Sequence, residues 1–290
     1  MIIAVASGKG GTGKTTVAVN FALSIDNAQL LDCDVEEPNS HLFLKPEITD
    51  RKKSVVLVPR VNHDICTYCQ RCREVCAYGA IAVIPPSAGK GKGQVLIFDN
   101  LCHSCGACVM LCPEKAMFEE ERETGIIETG KAGKVDFTHG RLNLKEAMSP
   151  PLIKQVKKGI NKEKISIIDS PPGTSCPVIA SVKGADFVLL VTEPTPFGLN
   201  DLKLAVETVK TLNLPVGIVI NRSCENDHLI EDYSKREKIP VMMKIPFDRN
   251  IAVAYSKGIN IVEVMPEYME KFKGLLNLIT SRIAGKGGVQ

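Results

Sequence analysis

Residues 8–16 read Gly8-Lys9-Gly10-Gly11-Thr12-Gly13-Lys14-Thr15-Thr16, a glycine-rich turn set between a β-branched run over 2–6 and an apolar helical pattern at Val17, Phe21, Leu23 and Ile25. Strand, tight loop and helix in that order are the context in which Gly-x4-Gly-Lys-Thr has a mechanism. The glycines let backbone N–H groups close around phosphate oxygens, and the helix N-terminus favours their negative charge. Lys14 reaches the β- and γ-phosphates and Thr15 offers Mg²⁺ a hydroxyl. The remaining periodicity suits the same plan. Strands are expected at 29–33, 55–61, 165–168, 187–191, 216–220 and 241–245, with helices near 150–160, 198–212 and 227–237. Strands alternating with helices at this spacing predict an α/β fold with a doubly wound, mainly parallel sheet.

From His63 that periodicity gives way to cysteine. Eight of the 11 cysteines fall within 66–112, as Cys66-x2-Cys69-x2-Cys72-x3-Cys76 and Cys102-x2-Cys105-x2-Cys108-x3-Cys112, the same spacing repeated after 36 residues. Tyr78-Gly79-Ala80-Ile81 and Glu114-Lys115-Ala116-Met117 follow the two runs as paired half-modules, and a hairpin or loop is expected over 85–93. Disulfide scaffolds belong to short secreted chains. This one is 290 residues long, opens Met1-Ile2-Ile3-Ala4-Val5-Ala6 without a basic leader, and has no apolar run of membrane length, so a cytoplasmic location is expected. The cysteines therefore point to metal. Structural zinc more often takes separated CxxC pairs, whereas three cysteines within seven residues can wrap three corners of a 4Fe-4S cubane. The expected organisation is one α/β domain over 1–61 and 123–290, interrupted by an inserted α+β module over 62–122.

With 44% hydrophobic and 24% charged residues the composition is that of a folded globular chain. Two 4Fe-4S clusters on eight thiolates would carry about −2 each, taking the formal charge from +3 to about −1. That balance points away from nucleic acid as a partner.

Lys9 is a second lysine inside the phosphate loop, and residues 9–16 resemble the deviant Walker A signature of the MinD/ParA family of dimerising ATPases. Asp32-Cys33-Asp34, the segment Asp169-Ser170-Pro171-Pro172-Gly173-Thr174-Ser175 and Asn221-Arg222 fit further motifs in that family's order. The resemblance implies ATP and Mg²⁺ as ligands, with Gly8, Lys9, Gly10, Gly11, Thr12, Gly13, Lys14, Thr15 and Thr16 around the phosphates. It also implies that Lys9 crosses a nucleotide-sandwich dimer, that Asp34 sits near the attacking water, that Asp169 holds the Mg²⁺ shell and that Gly173 senses the γ-phosphate. Lys9, Lys14, Asp34 and Asp169 are thus the candidate catalytic set. Asn221, Arg222 and Pro246-Phe247-Asp248 are expected to frame adenine. A guanine site of the Asn-Lys-x-Asp type would want a carboxylate where Cys224 stands.

The cysteine module resembles a bacterial two-cluster ferredoxin. In that arrangement Cys66, Cys69, Cys72 and Cys112 hold one cluster, and Cys102, Cys105, Cys108 and Cys76 the other. Pro113 follows the last cysteine as the pattern has it; Ala77 stands in the equivalent place after Cys76. Arg71 and Arg73 would make the first cluster the easier to reduce.

Cys33, Cys176 and Cys224 read as small, partly buried residues, and the histidines as loop residues. The stripe Tyr268, Phe272, Leu275, Leu276, Ile279 and Ile283 reads as a helix face packed on the domain, before a fraying tail over 285–288, which points away from membrane anchoring. The expected function is ATP hydrolysis coupling nucleotide-dependent dimerisation to electron transfer through the two clusters. The dimer would form with a second copy or a related ATPase, and a redox or metallocofactor protein would be the further partner. Iron-sulfur assembly or maturation is the alternative, and ParA-like positioning a third.

Overall fold

The computed structural model describes residues 1–86 and 93–286; the tip of the loop expected over 85–93 and the last residues of the expected tail lie outside them. In chain order the elements begin β1 (Ile2–Ala6), α1 (Lys14–Leu23), β2 (Ala28–Asp32), α2 (Ser40–Leu44), β3 (Glu47–Val61), α3 (Arg71–Glu74), β4 (Ile81–Ile84) and β5 (Gln94–Ile97). Next come α4 (Ala107–Met110), β6 (Met117–Ala132), β7 (Val135–Leu142), α5 (Pro150–Lys157), β8 (Ile165–Asp169), α6 (Cys176–Val182) and β9 (Phe187–Thr192). The chain continues with α7 (Pro196–Thr211), β10 (Val216–Ser223), α8 (His228–Glu237), β11 (Val241–Pro246), α9 (Arg249–Ser256), α10 (Ile261–Val264) and α11 (Glu267–Lys286). Two compact units result. One comprises Met1–Lys52, Ile126–Leu142 and the chain from Ser149 onward; the other comprises Lys53–Gly125 and Asn143–Met148.

The first unit is built on a sheet in the order β11-β10-β9-β1-β8-β2-β7, all six neighbouring pairs parallel, with β6 and β3 following at the β7 edge. Alternation along each strand explains how one sheet feeds two cores. Ile3 and Val5 of β1 face a cluster with Val17 and Phe21 of α1 and Phe272 and Ile279 of α11. Ala4 and Ala6 face the other side, with Ile153 of α5, Val182 of α6, Val206 of α7 and Ile230 of α8. Both faces are covered, as a parallel sheet requires. The C-terminal stripe packs into the first of these cores: Tyr268, Phe272, Leu275 and Ile279 are buried, and Phe272 stacks on Phe21 with ring centroids 5.9 Å apart. Helix α11 itself continues through Gly285 to Lys286, where a fraying tail was expected to begin. Among the described residues no helix is long and apolar enough to cross a membrane.

Besides the short β4 and β5, three strands escape the periodicity argument wholly or in part, and one of them, β7, is buried, its apolar run broken by Asp136, Thr138 and His139. Strand β3 starts at Glu47, eight residues before the expected 55, and β6 runs for 16 residues as Met-Phe-Glu-Glu-Glu-Arg-Glu-Thr-Gly and onward. Both carry many exposed polar residues, so neither shows an apolar run, and charge on such outer strands guards against edge pairing.

The second unit is a duplication at the level of backbone. Helices α3 and α4 start 36 residues apart, at 71 and 107, and each follows a residue of left-handed conformation, Gln70 (φ 66) and Gly106 (φ 71). Two more positive-φ pairs obey the same offset, Tyr68 with Ser104 and Gly79 with Lys115. Each half is a strand, a cysteine loop, a one-turn helix and a second strand. The halves exchange equivalent bonds: Asn62 N–H donates to the Ala116 carbonyl and Phe98 N–H to the Ala80 carbonyl, both at 2.8 Å. Strands β4 and β5 pair antiparallel, Ile81 opposite Ile97.

Candidate functional site

The phosphate loop leaves the carboxyl end of β1, the position at which open parallel sheets bind ligands. Gly13 has φ 89 and begins α1 without a side-chain cap, so the first-turn N–H groups remain available to an anion. A Cβ at Gly13 would lie 2.3 Å from Asn221 Nδ2, and that same amide donates to the Thr12 carbonyl at 2.8 Å. Gly8 is equally constrained, since a Cβ there would lie 2.1 Å from the Asp201 carbonyl of α7. Asn221 therefore clamps the loop directly, a role its place in the sequence did not disclose.

Lys14 Nζ lies 2.9 Å from Asp34 Oδ2 and 3.7 Å from Asp169 Oδ1, the three groups being almost wholly buried. Burial disfavours the ammonium, but Asp169 and Asp34 outweigh it and hold Lys14 above the usual lysine range. Burial raises the Asp34 carboxyl against the opposing pull of Lys14, because one lysine serves several carboxylates. Asp32 is the third of these. Its two oxygens accept the backbone N–H groups of Asp34 and Ser40, each at 3.0 Å, and burial together with Asp169 pushes it up to about 7. Asp32 is thus a staple for the 34–40 segment. Asp169 Oδ2 accepts from Ser40 Oγ at 3.1 Å, while buried Oδ1 takes no hydrogen bond. An orphaned carboxylate oxygen beside the phosphate-loop lysine is chemically suited to a hydrated Mg²⁺.

A pocket opens from this cluster toward α9. Gly10, Gly11, Gly13, Lys14, Thr15, Thr16 and Asp34 line one end, and Asn221, Arg222, Pro246, Phe247 and Asp248 the other. Phe247 and Tyr255 are exposed aromatic rims of that end. Glu37, Asn39, Ile251, Ala252 and Tyr255 also line it and carried no sequence signal. Asp227, the aspartate nearest in sequence to the Cys224 position, is spent on Ser223 Oγ, Cys224 N–H and Lys244.

Five expected residues, Gly8, Lys9, Thr12, Asp169 and Gly173, do not line this pocket, although Asp169 stands behind Lys14. The Gly173 N–H donates to the Ser7 carbonyl at 2.9 Å, so it touches the phosphate loop instead of the phosphate space. Lys9 points to Glu193 Oε2 at 3.9 Å, and Arg222 holds the other oxygen at 2.7 Å. Glu193 was missed. Its signal was available, a carboxylate closing an apolar strand as Asp169 closes β8.

In the second unit the cysteines sort into two pockets. Cys66, Cys69, Cys72 and Cys112 line one, and Cys76, Cys102, Cys105 and Cys108 the other, so each pocket draws three cysteines from one run and the last from its repeat. Backbone N–H groups donate to sulfur at Cys76 (from Ala80, 3.3 Å) and Cys102 (from Ser104, 3.4 Å). Burial pushes the Cys108 thiol up to about 11 and raises Cys72 and Cys102, so these become thiolates only beside a cation. Among the described residues no three His, Cys, Asp or Glu side chains close on a single ion. A cubane does not ask that of them, since each thiolate takes its own iron. The donor set, its cross-repeat grouping and its N–H···S bonds fit two such clusters. Cys69 and Cys105, second in each run, are exposed.

Other expectations need correction. Cys33 is buried, but Cys176 and Cys224 are exposed, because each stands at the start of a helical turn on the outside of the sheet layers. The histidines are not all loop residues: His139 of β7 is buried and its Nε2 lies 2.7 Å from Glu128 Oε2.

A parallel sheet with a glycine-rich loop after its central strand, an invading lysine and carboxylates at neighbouring strand ends defines a P-loop nucleotide-binding protein. The chain belongs to the CobQ/CobB/MinD/ParA nucleotide binding domain family, which it matches over residues 3–261. It is 36% identical over 271 residues to an uncharacterized protein of Methanocaldococcus jannaschii, covering 89% of this chain and 90% of that one. Over 315 residues it is 28% identical to an iron-sulfur cluster carrier protein of Pyrococcus horikoshii, covering 99% of this chain and 88% of that one. The septum site-determining protein MinD of Pyrococcus horikoshii, solved with Mg-ADP, shares the fold at a TM-score of 0.58 and 20% identity, covering 94% of this chain and 93% of that one.

Proposed function

We propose that this chain is an ATPase that carries two 4Fe-4S clusters and couples nucleotide-dependent dimerisation to electron transfer. The observation that carries the reading is the sorting of eight cysteines into two pockets that each borrow one ligand from the other repeat. Cys66, Cys69, Cys72 and Cys112 would hold the first cluster and Cys102, Cys105, Cys108 and Cys76 the second; bound there, the clusters supply one-electron redox capacity. The division into an ATPase domain over 1–61 and 123–290 and an inserted module over 62–122 goes with it. The compact unit centred on Lys53–Gly125 supports such an insertion, with its stems extended along β3 and β6.

At the nucleotide, loop N–H groups and Lys14 bind phosphate oxygens. Thr15 and Asp169 would hold Mg²⁺, which neutralises charge on the phosphates when bound. Asp34, at hydrogen-bond distance from Lys14, orients the attacking water once Lys14 turns to phosphate. Lys9 supplies positive charge across a dimer, released from Glu193. Asn221, Arg222 and residues 246–248 frame adenine, and the engagement of Asp227 in its own turn supports adenine over guanine.

A second reading, iron-sulfur cluster assembly or delivery, is favoured by the relative named as a cluster carrier and by the exposure of Cys69 and Cys105. One experiment separates them. Anaerobic protein is analysed for iron and sulfide, then each cluster's midpoint potential is measured with no nucleotide, ADP and a non-hydrolysable ATP analogue. About eight iron and eight sulfide per chain, with potentials that shift with nucleotide and cycle reversibly, are expected. Stoichiometric zinc would end the cluster reading. Clusters lost to an apo-acceptor, with potentials indifferent to nucleotide, would replace electron transfer with delivery.

A further inference from the structure

Ser40 is the first residue of the short helix α2, yet its hydroxyl does not cap that helix. It crosses to Asp169, 129 residues away in sequence, donating Oγ–H to Oδ2 at 3.1 Å, while its backbone N–H donates to Asp32 Oδ2 at 3.0 Å. Ser40, Asp32 and Asp169 have no solvent exposure. The two oxygens of Asp169 are thereby made unequal. Oδ2 is engaged, and Oδ1 is left without a hydrogen bond, 3.7 Å from Lys14. A buried carboxylate oxygen in that condition is costly unless a cation completes it.

We propose that Ser40 is a positioning residue that selects which oxygen of Asp169 faces Mg²⁺. The proposal rests on the reading of this pocket as a Mg-ATP site. Left alone, a carboxylate can rotate about its Cβ–Cγ bond and offer either oxygen, or both, to Lys14. The Ser40 hydroxyl fixes that rotation from the far side. Asp32 fixes Ser40 in turn, since its carboxylate binds both ends of the segment, Asp34 N–H at one and Ser40 N–H at the other. The hydroxyl on Asp169 and the carboxylate on Lys14 therefore move as one loop, so the metal-facing oxygen and the water-facing Asp34 are set together.

The test compares wild type, Ser40→Ala and Ser40→Cys in the full-length holoprotein, using a fluorescent ATP analogue titrated with Mg²⁺ present and with the metal chelated. Fold is followed by far-UV circular dichroism. A hydrogen bond to a charged group is worth enough to predict that Ser40→Ala raises the Mg²⁺ concentration for half-maximal binding about ten- to a hundred-fold. Its metal-free nucleotide affinity should stay within about two-fold, because the loop amides and Lys14 are untouched. Ser40→Cys keeps a weak donor and should fall between the two, carrying the comparison alone if Ser40→Ala does not fold. Equal Mg²⁺ dependence in folded variants and wild type would overturn the role of Ser40. Wild type that binds the analogue without regard to Mg²⁺ would instead overturn the reading of the pocket.

Discussion

Replacing Lys14 with methionine should destabilise the protein even when no nucleotide is present. Lys14 is the cation against which Asp34 at 2.9 Å and Asp169 at 3.7 Å are buried, with Asp32 stapled behind them. Methionine keeps much of the side-chain length and none of the charge. Removing one partner of a buried ion pair typically costs about 3–5 kcal/mol, because the other partner is left uncompensated. At roughly 2–4 °C per kcal/mol for a chain of this size, the melting temperature should fall by about 6–20 °C. The same logic fixes the companion variant. Asp34→Asn leaves Lys14 still paired with Asp169 and removes a carboxylate that burial disfavours, so it should cost less than Lys14→Met. The double variant Lys14→Met/Asp34→Asn should then recover about 1–3 kcal/mol of the loss, the coupling expected of neighbours. Thermal unfolding of the four proteins, followed anaerobically by circular dichroism without nucleotide, makes a complete cycle. A Lys14→Met melting temperature within about 2 °C of wild type, or a double variant no better than the single, would refute the claim that Lys14 stabilises these carboxylates.

Gly13→Ala should weaken binding of a fluorescent ATP analogue by tenfold or more, since φ 89 and a 2.3 Å approach to Asn221 would cost about 1–2 kcal/mol in strain and break the clamp on Thr12. Unchanged affinity would show that the loop adapts. Burial holds His139 below its ordinary range despite Glu128, so the fold prefers the neutral ring and protonation favours the unfolded chain. Stability should therefore decline as pH falls from about 7 toward 5, and the decline should be shallower in His139→Gln. Asp32, raised to about 7, pulls the opposite way in both proteins, so the difference between their melting curves reports the His139–Glu128 pair. Parallel curves would remove it from the acid response.

The phosphate loop was legible because its chemistry demands those residue types in consecutive order, and the cysteine runs because ligand spacing is local. The buried strands were legible from apolar content, except β7, where Asp136, Thr138 and His139 break the run. What stayed hidden depends on partners far apart in sequence. Nothing in 47–54 announces a strand, because β3 is stabilised by pairing with an equally polar β6 and not by burial. The part played by Asn221 on Thr12 spans 209 residues, and that of Ser40 on Asp169 spans 129. His139 looked ordinary because a buried polar group is defined by its neighbours, whereas Glu193 had a local sign in closing an apolar strand. The left-handed positions Tyr68, Gln70, Ser104 and Lys115 were equally silent, as none is glycine.

The duplication in the cysteine unit has a consequence for direction. Its two halves share helix position, left-handed residues, exchanged bonds and one exposed cysteine each, Cys69 and Cys105. Under the proposed electron transfer, a path through such a repeat looks alike from its two mouths and has no upstream end of its own. Any preference for one-way traffic must come from the places where the repeat is broken. Arg71 and Arg73 stand at one mouth where Ala107 and Val109 stand at the other, and the stacked rings of Tyr78 and His103 have no counterpart pair, since Glu114 and Thr67 occupy the matching positions. In that proposal the backbone supplies the parity of the path, and a handful of side chains supply its arrow.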